Sequence, residues 1–290
     1  PDPHDTVLYG LVNIGIFRMQ PGSGKVPTQT VASELLYDDK LYAEGQSPSE
    51  DLIALLRDVK ERELLAKTAI QDSAPVVTLT DGPLELYHEP RADKTFSKPF
   101  EDYLKALDDL ALASVITAGY VSRPRANLLV NLLELIESDQ SNAENSHTFA
   151  GITDIALLAY LLNPGERSAI FQLQSLSSKE YTNRKALHFF YLNVGTSASP
   201  AYARVEIPRW VAENPESVAL LHSVLVEQAR QAGATPYPYP LIRAHEIAVV
   251  KMEDRQQVTA LIERELLSRG IPIKRQSEKQ FHKGHAGRTR

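Results

Sequence analysis

The segment ALHFFYLNVGTSASPAYARVEIPRW, residues 186–210, decides the fold class. Two stretches rich in aromatic and β-branched residues, 186–194 and 201–210, flank the loop GTSASP. Such stretches favour strands, and a short loop containing glycine and proline between them favours an antiparallel hairpin. An antiparallel pair argues against a purely parallel sheet of the Rossmann type.

Strands and helices are predicted along the rest of the chain, which indicates one α/β domain built on a mixed sheet flanked by helices. No glycine-rich nucleotide-binding motif and no Gly-x-Ser-x-Gly motif is present. The domain is predicted over residues 1–268, followed by a basic tail over 269–290. Further strands are predicted at 7–19, 75–86, 114–122 and 168–175, and helices at 47–69, 98–111, 123–138, 153–162, 215–232 and 240–268.

The composition excludes several classes of protein. The chain has 290 residues, of which 43% are hydrophobic, and it has no cysteine. Disulfides, thiolate metal sites and a cysteine nucleophile are therefore excluded, so a metal site would use carboxylates and imidazoles. No apolar run approaches the roughly 20 residues that span a bilayer. The start, PDPHDT, is unlike a secretory signal, which predicts a cytoplasmic protein with no membrane partner.

The net charge is −6, but the end of the chain is basic. Basic tails often bind phosphate groups, and the alternative is a disordered terminus that serves solubility. If the tail binds DNA, the candidate residues are Lys274, Arg275, Lys279 and Lys283.

Within the segment PVVTLTDGPLEL (75–86), the predicted strand ends at Asp81, because the Gly-Pro pair after it stops the strand. Asp81 would lie at the carboxyl end of an interior strand, where open α/β sheets bind their ligands. An ordinary Asp-Gly turn accounts for the same residues.

The helix before that strand carries a second candidate. On a helical wheel numbered from Leu52, Glu63 falls within the apolar stripe, whereas Glu61 falls on the polar side. A carboxylate on a buried stripe needs a cation as its partner. The alternative is a glutamate at the rim of the stripe whose head reaches water.

His245 is the third candidate. If residues 240–268 form one helix, His245 lies on a face with Leu241, Ala244, Val249 and Met252. A histidine in that position is either a core residue with a satisfied hydrogen bond or a ligand. Together, Glu, Asp and His form a ligand set for a hard or borderline divalent cation, which activates water for the hydrolysis of phosphodiesters.

Several ordered motifs resemble NurA-type nucleases, the partners of the HerA translocase in prokaryotic DNA-end processing. They span almost the whole chain, and the block with Tyr-Pro-Tyr followed by Ala-His is the most diagnostic. The matching pieces are VLYGLVNIG, RDVKERELLA, VTLTDGPLEL, AGYVSRPR, LLNPGERSAIF, FFYLNVG, ARVEIPRW and YPYPLIRAHEIAVV.

The resemblance implies an RNase H-like core, a homodimer, and a Mn²⁺-dependent nuclease, with Mg²⁺ as the alternative ion. Such an enzyme degrades DNA from 5′ ends and cuts single strands internally during end resection and double-strand-break repair. It also implies that Asp81 and His245 are metal ligands and that Tyr237 belongs to the site, where simple packing is the alternative. The helix glutamate is Glu63, or alternatively Glu61.

One motif of the family is missing from this sequence. The family pattern begins with an Asp-Gly-Ser strand that carries the first metal-binding aspartate, and this chain starts at Pro1 without it. The expectation is a chain that lacks its first strand and one ligand, and that is inactive as given if that aspartate is essential.

Two hypotheses about function follow. In the first, a metal-dependent nuclease grips single-stranded DNA and duplex ends through Arg123 and Arg125, because arginine pairs bidentately with phosphate. A solvated loop is the alternative reading of that arginine pair. In the second hypothesis, a non-catalytic scaffold binds DNA ends or docks on a hexameric HerA-type translocase.

Overall fold

The computed structural model describes residues 8–37, 41, 50–73, 75–86, 94–137, 149–233 and 235–272. The described chain divides into two compact units. One comprises the segments within 1–61, 91–103 and 244–290, and the other those within 62–90 and 104–243. Residues 273–290 of the predicted basic tail lie outside the described residues.

The first unit contains a two-stranded antiparallel sheet of β1 (Gly10–Arg18) and β2 (Thr28–Leu36). The predicted strand at 7–19 is confirmed by β1, whereas β2 was not predicted. Most residues of β2 are exposed, and its sequence does not show the alternating apolar residues that would predict a strand. Its stability comes from the ladder with β1.

The second unit contains a five-stranded mixed sheet in the order β3-β4-β7-β6-β5. The strands β3 (Val77–Asp81) and β4 (Ile116–Ser122) are parallel, and all other neighbours are antiparallel. The remaining strands are β5 (Phe171–Gln172), β6 (Leu187–Asn193) and β7 (Tyr202–Pro208). The pairing of β6 with β7 confirms the predicted hairpin and the mixed α/β sheet.

Helices flank this sheet. The core of the second unit lies between β4, β6, β7 and the apolar faces of α5, α6 and α7, and Phe190, Val205 and Leu221 within it are fully buried. The helices are α1 (Glu50–Ala69), α2 (Lys94–Leu112), α3 (Leu128–Glu137), α4 (Asp154–Leu158), α5 (Arg209–Ala212), α6 (Pro215–Gln231), α7 (Tyr239–Ala248) and α8 (Met252–Ser268).

The prediction of one helix over 240–268 is wrong, because α7 ends at Ala248 and α8 begins at Met252. Lys251 lies between them with an extended backbone, and its N–H donates to Asp254 Oδ2 at 3.0 Å. This carboxylate satisfies an N–H at the new helix start, which is the usual role of an acidic residue at the third helical position. None of the described helices is long and apolar enough to cross a membrane.

Candidate active site

Asp81 lies at the carboxyl end of β3, with its side chain exposed. The next residue, Gly82, has φ of 106°, and its N–H donates to Tyr120 O of β4 at 2.9 Å. A side chain at that φ would be strained, so glycine permits the chain to turn immediately after the aspartate. The prediction that Asp81 ends a strand is confirmed.

Tyr237 reaches Asp81 from 156 positions further along the chain. Its hydroxyl donates to Asp81 Oδ1 at 2.5 Å. Its ring packs edge-on against Tyr120, with centroids 5.2 Å apart and ring planes at 84°. Tyr120 is the partner of Asp81 in the β3–β4 register, so these three residues form one cluster at the edge of the sheet.

The tyrosine hydroxyls of this cluster remain protonated well into alkaline conditions. Burial raises the pKa of Tyr237 above its ordinary value, and the hydrogen bond to Asp81 and the charge of that carboxylate raise it further. Burial also raises the pKa of Tyr120. Because a neutral phenol donates a hydrogen bond, Tyr237 remains a donor to the carboxylate at neutral pH.

The two predicted phosphate-binding arginines lie just beyond the carboxyl end of β4, at the edge of the sheet that carries Asp81. Arg123 and Arg125 are exposed, and Pro124 between them is buried. Arg123 has φ of 48°, and its N–H donates to Tyr202 O at 3.3 Å. The backbone of the loop is therefore anchored to Tyr202, whereas both arginines are exposed.

The argument that placed Glu63 on a buried stripe is wrong. Glu63 is exposed and Glu61 is half-buried, whereas Arg62 between them is 3% exposed. The buried face of α1 is rotated from the predicted stripe toward Arg62. Glu61 and Glu63 therefore lie on either side of the buried face. The buried positions are Leu52, Leu55, Val59, Arg62, Ala66 and Ala69.

Arg62 is a buried residue that sequence analysis missed. Its guanidinium donates to Thr80 Oγ1 at 3.1 Å and to Thr117 Oγ1 at 3.5 Å. Its spacing of three or four residues from Val59 and Ala66 was the available signal, since that spacing places all three on one helical face.

The argument that placed His245 on a buried stripe is also wrong, because His245 is exposed. The apolar face was drawn through Val249 and Met252, which lie beyond the end of α7 and are 46% and 66% exposed. A wheel drawn across a helix break combines residues of two separate helices. The metal-binding role of His245 therefore depends on the family motif alone.

The set of metal ligands, Asp81, His245 and Glu63 or Glu61, stays a prediction. Within the part of the chain that the structure describes, no three His, Asp or Glu side chains form a group that could hold a metal ion. Asp81 and Glu63 belong to one compact unit, and Glu61 and His245 to the other. The tail residues Lys274, Arg275, Lys279 and Lys283 lie outside the described residues.

Buried charges in β7 were missed as well. Arg204 Nη2 lies 2.7 Å from Glu206 Oε1, and these side chains are 7% and 0% exposed. Burial raises the pKa of Glu206, while Arg204 and the N–H groups of Leu84 and Glu85 lower it. The sequence signal was a pair of opposite charges two positions apart in a strand, which places them on one face.

A NurA domain model matches residues 1–250 of the 290 residues. The chain belongs to the NurA domain family. No curated protein and no solved structure matched the chain. Membership in the NurA family implies a nuclease-family function in DNA processing and repair. The match covers Asp81, Tyr237 and His245, and it spans parts of both compact units.

Proposed function

We propose that this NurA-family chain is a metal-dependent deoxyribonuclease whose active site lies at the carboxyl edge of β3 and β4. The observation that carries the proposal is the hydrogen bond between Tyr237 and Asp81. Two motif residues that are far apart in the sequence meet at the end of a strand, and their contact supports an active site at this position. Exposure of Asp81 leaves its carboxylate accessible to a ligand.

The donor chemistry of Asp81 fits the metal that the family implies, although the set of ligands is incomplete. A carboxylate oxygen suits Mn²⁺ or Mg²⁺, which prefer hard oxygen donors. The described residues supply Asp81 at this edge but no group of three ligands. When bound, such an ion would lower the pKa of a water molecule and stabilise negative charge on the phosphate. His245 and either Glu63 or Glu61 are the further ligands proposed.

The side chains around Asp81 would bind and orient the substrate. Tyr237 holds one carboxylate oxygen in a fixed direction through its hydroxyl. Arg123 and Arg125 present cationic groups at the same sheet edge, where they would bind backbone phosphates of DNA without reading the bases. We therefore expect the nuclease to have little preference for DNA sequence.

The finer features of the proposal come from the family. They are an RNase H-like core, Mn²⁺ as the preferred ion, degradation from 5′ ends, internal cutting of single strands, a homodimer and a HerA-type translocase as partner. The mixed sheet with a parallel β3–β4 pair is compatible with that core.

The experiment that tests the proposal compares cleavage of end-labelled DNA by the purified full-length protein and by its Asp81→Asn variant in Mn²⁺. We expect the variant to lose at least about 100-fold in rate, because a metal ligand contributes several kcal/mol to the transition state. Substituting His245 with Ala, and Glu61 and Glu63 separately with Gln, identifies the other ligands. Asp51→Asn, a change at another exposed aspartate, is the control and should retain the wild-type rate.

The same experiment separates the nuclease from a scaffold. DNA binding without cleavage in Mn²⁺ or Mg²⁺, unchanged by Asp81→Asn, would establish a non-catalytic protein that binds DNA ends. The order in which 5′- and 3′-labelled substrates lose their label gives the polarity.

A further inference from the structure

The segment that follows Asp81 crosses directly over β4. A Cβ atom at Gly119 would lie 2.6 Å from Gly82 O and 2.7 Å from Leu84 N. Real Cβ atoms do not approach the backbone so closely, so this crossing requires glycine at position 119. The turn after Asp81 therefore lies in van der Waals contact with the strand beneath it.

A buried carboxylate on the next strand holds this turn in place. Glu206 pairs with Gly119 in the β4–β7 ladder, and its side chain is fully buried. Glu206 Oε2 accepts hydrogen bonds from Leu84 N at 2.8 Å and from Glu85 N at 3.2 Å. The other oxygen, Oε1, faces Arg204. The two N–H groups and the charge of Arg204 favour the carboxylate form, whereas burial and the Glu85 carboxylate raise the pKa of Glu206.

Two further contacts fasten the same segment. Tyr181 Oη accepts from Leu86 N at 2.9 Å and donates to Leu84 O at 3.2 Å. The Glu85 carboxylate accepts from the Ser177 hydroxyl at 2.7 Å and from the Ser175 hydroxyl. The residues after Asp81 are thus anchored to β7 and to the loop that contains Ser175 and Tyr181.

We propose that Glu206 is a positioning residue for Asp81, acting through the two backbone N–H groups that it binds. This inference rests on the proposed nuclease function, because it assigns Glu206 a role in holding the metal ligand. A neutral amide at position 206 would accept from the two N–H groups more weakly than the carboxylate does, and its NH2 group would face Arg204, which would lose its counter-ion. The turn would then move, and Asp81 at its start would move with it.

A merely structural role for Glu206 is the alternative, and the chain offers a matched control. Asp154 is also fully buried, and its Oδ1 accepts from Leu129 N at 2.9 Å and from Val130 N at 3.0 Å. Its Oδ2 accepts from the Tyr191 hydroxyl. Asp154 therefore resembles Glu206 in burial and in its two amide contacts, but it holds the start of α3.

The test compares Glu206→Gln with Asp154→Asn in the full chain. For Glu206→Gln we expect hydrogen exchange at the Leu84 and Glu85 amides to accelerate at least about tenfold. We also expect Mn²⁺ affinity, measured by calorimetry without DNA, to fall about tenfold or more, as for other groups that orient ligands. Asp154→Asn should lower the melting temperature similarly while leaving both quantities unchanged. Glu206→Asp, which retains the charge, should recover part of the affinity.

Each contrary result overturns the inference. Wild-type exchange at Leu84 and Glu85 as fast as in an unstructured peptide would do so without any variant. Unchanged Mn²⁺ affinity in folded Glu206→Gln, or an equal loss in Asp154→Asn, would assign Glu206 a structural role only. If Glu206→Gln does not fold, Gly119→Ala displaces the same turn while retaining Glu206, and an unchanged affinity in that variant counts against the inference.

The nuclease proposal fails separately from this one. A wild-type chain that binds Mn²⁺ without cutting DNA overturns the enzymatic proposal, whereas the binding and exchange measurements still decide the role of Glu206.

Discussion

At the scale of single residues, the hydroxyl of Tyr237 is the group that gives Asp81 a defined orientation. Its ring is held against Tyr120, so the hydroxyl is positioned by packing as well as by its hydrogen bond. The raised pKa of Tyr237 keeps the proton on the phenol. The Tyr-Pro-Tyr motif pointed to this tyrosine, but its contact with Asp81 depends on how the segment before α7 packs against β3 and β4 in the second unit.

Tyr237→Phe removes the donor and leaves the ring. We expect the rate of Mn²⁺-dependent DNA cleavage to fall about 10- to 100-fold, since a hydrogen bond to a charged group contributes roughly 1.5–3 kcal/mol. The melting temperature should change little, because the edge-on contact with Tyr120 remains. Tyr160→Phe is the control, since Tyr160 is 91% exposed, and it should cleave like wild type. A wild-type rate in Tyr237→Phe would show that the hydroxyl has no part in the reaction.

At the scale of elements, strand β3 and the turn after it act together as the support for Asp81. The strand pairs in parallel with β4, and the turn begins at Gly82, where φ is positive. The sequence predicted that the strand ends at Asp81, and the structure confirms it. The Asp-Gly-Pro motif could not reveal the residue that binds this turn, because Glu206 lies 122 positions from Leu84 in the sequence.

Gly82→Ala should destabilise the protein and disturb the site together. We expect the free energy of unfolding to fall by about 1–3 kcal/mol, because a side chain at φ of 106° is strained. Urea denaturation measures that change, and the cleavage assay should show a loss of activity in the folded protein. Gly22→Ala, with φ of 74° in the turn after β1, should cost about 1 kcal/mol without loss of activity. Equal activity in both variants would contradict a role for the turn.

At the scale of the whole molecule, we expect stability at alkaline pH to depend on three tyrosines of the described residues, the buried Tyr120 and Tyr191 and the half-buried Tyr237. Burial is the main cause that raises the pKa of Tyr120, Tyr191 and Tyr237. In the unfolded chain these phenols lose their protons near pH 10, whereas in the folded protein they retain them. The free energy of unfolding therefore decreases as pH rises above about 10. Below that pH the phenols are protonated in both states, and the stability is fully present.

The melting temperature should accordingly decrease more steeply above about pH 10 than between pH 8 and pH 9.5. The expected loss is up to about 1.4 kcal/mol per tyrosine for each pH unit, as long as the folded phenols remain protonated. Tyr191→Phe should reduce the slope by about a third, whereas exposed Tyr160→Phe should not alter it. A melting temperature that is constant from pH 9 to pH 11.5 would contradict this account.

The sequence by itself determined the class of the fold, most of its elements and the family. Local patterns were sufficient to predict the β6–β7 hairpin, strand β3 with Asp81 at its end, and most helices. The reason is that the periodicity of strands and helices is a property of neighbouring residues. The ordered motifs were sufficient for the NurA family, which the domain match over 1–250 confirms.

Only the tertiary structure decided which polar side chains are buried and which of them meet. It placed Arg62 on the buried face of α1 and left Glu61 half-buried and Glu63 exposed. It ended α7 before the residues that would have placed His245 on a buried face. It also brought Tyr237 to Asp81 and Glu206 to the turn after it. The physical reason is that burial depends on which face packs and where a helix stops, and those are decided by partners distant in the chain.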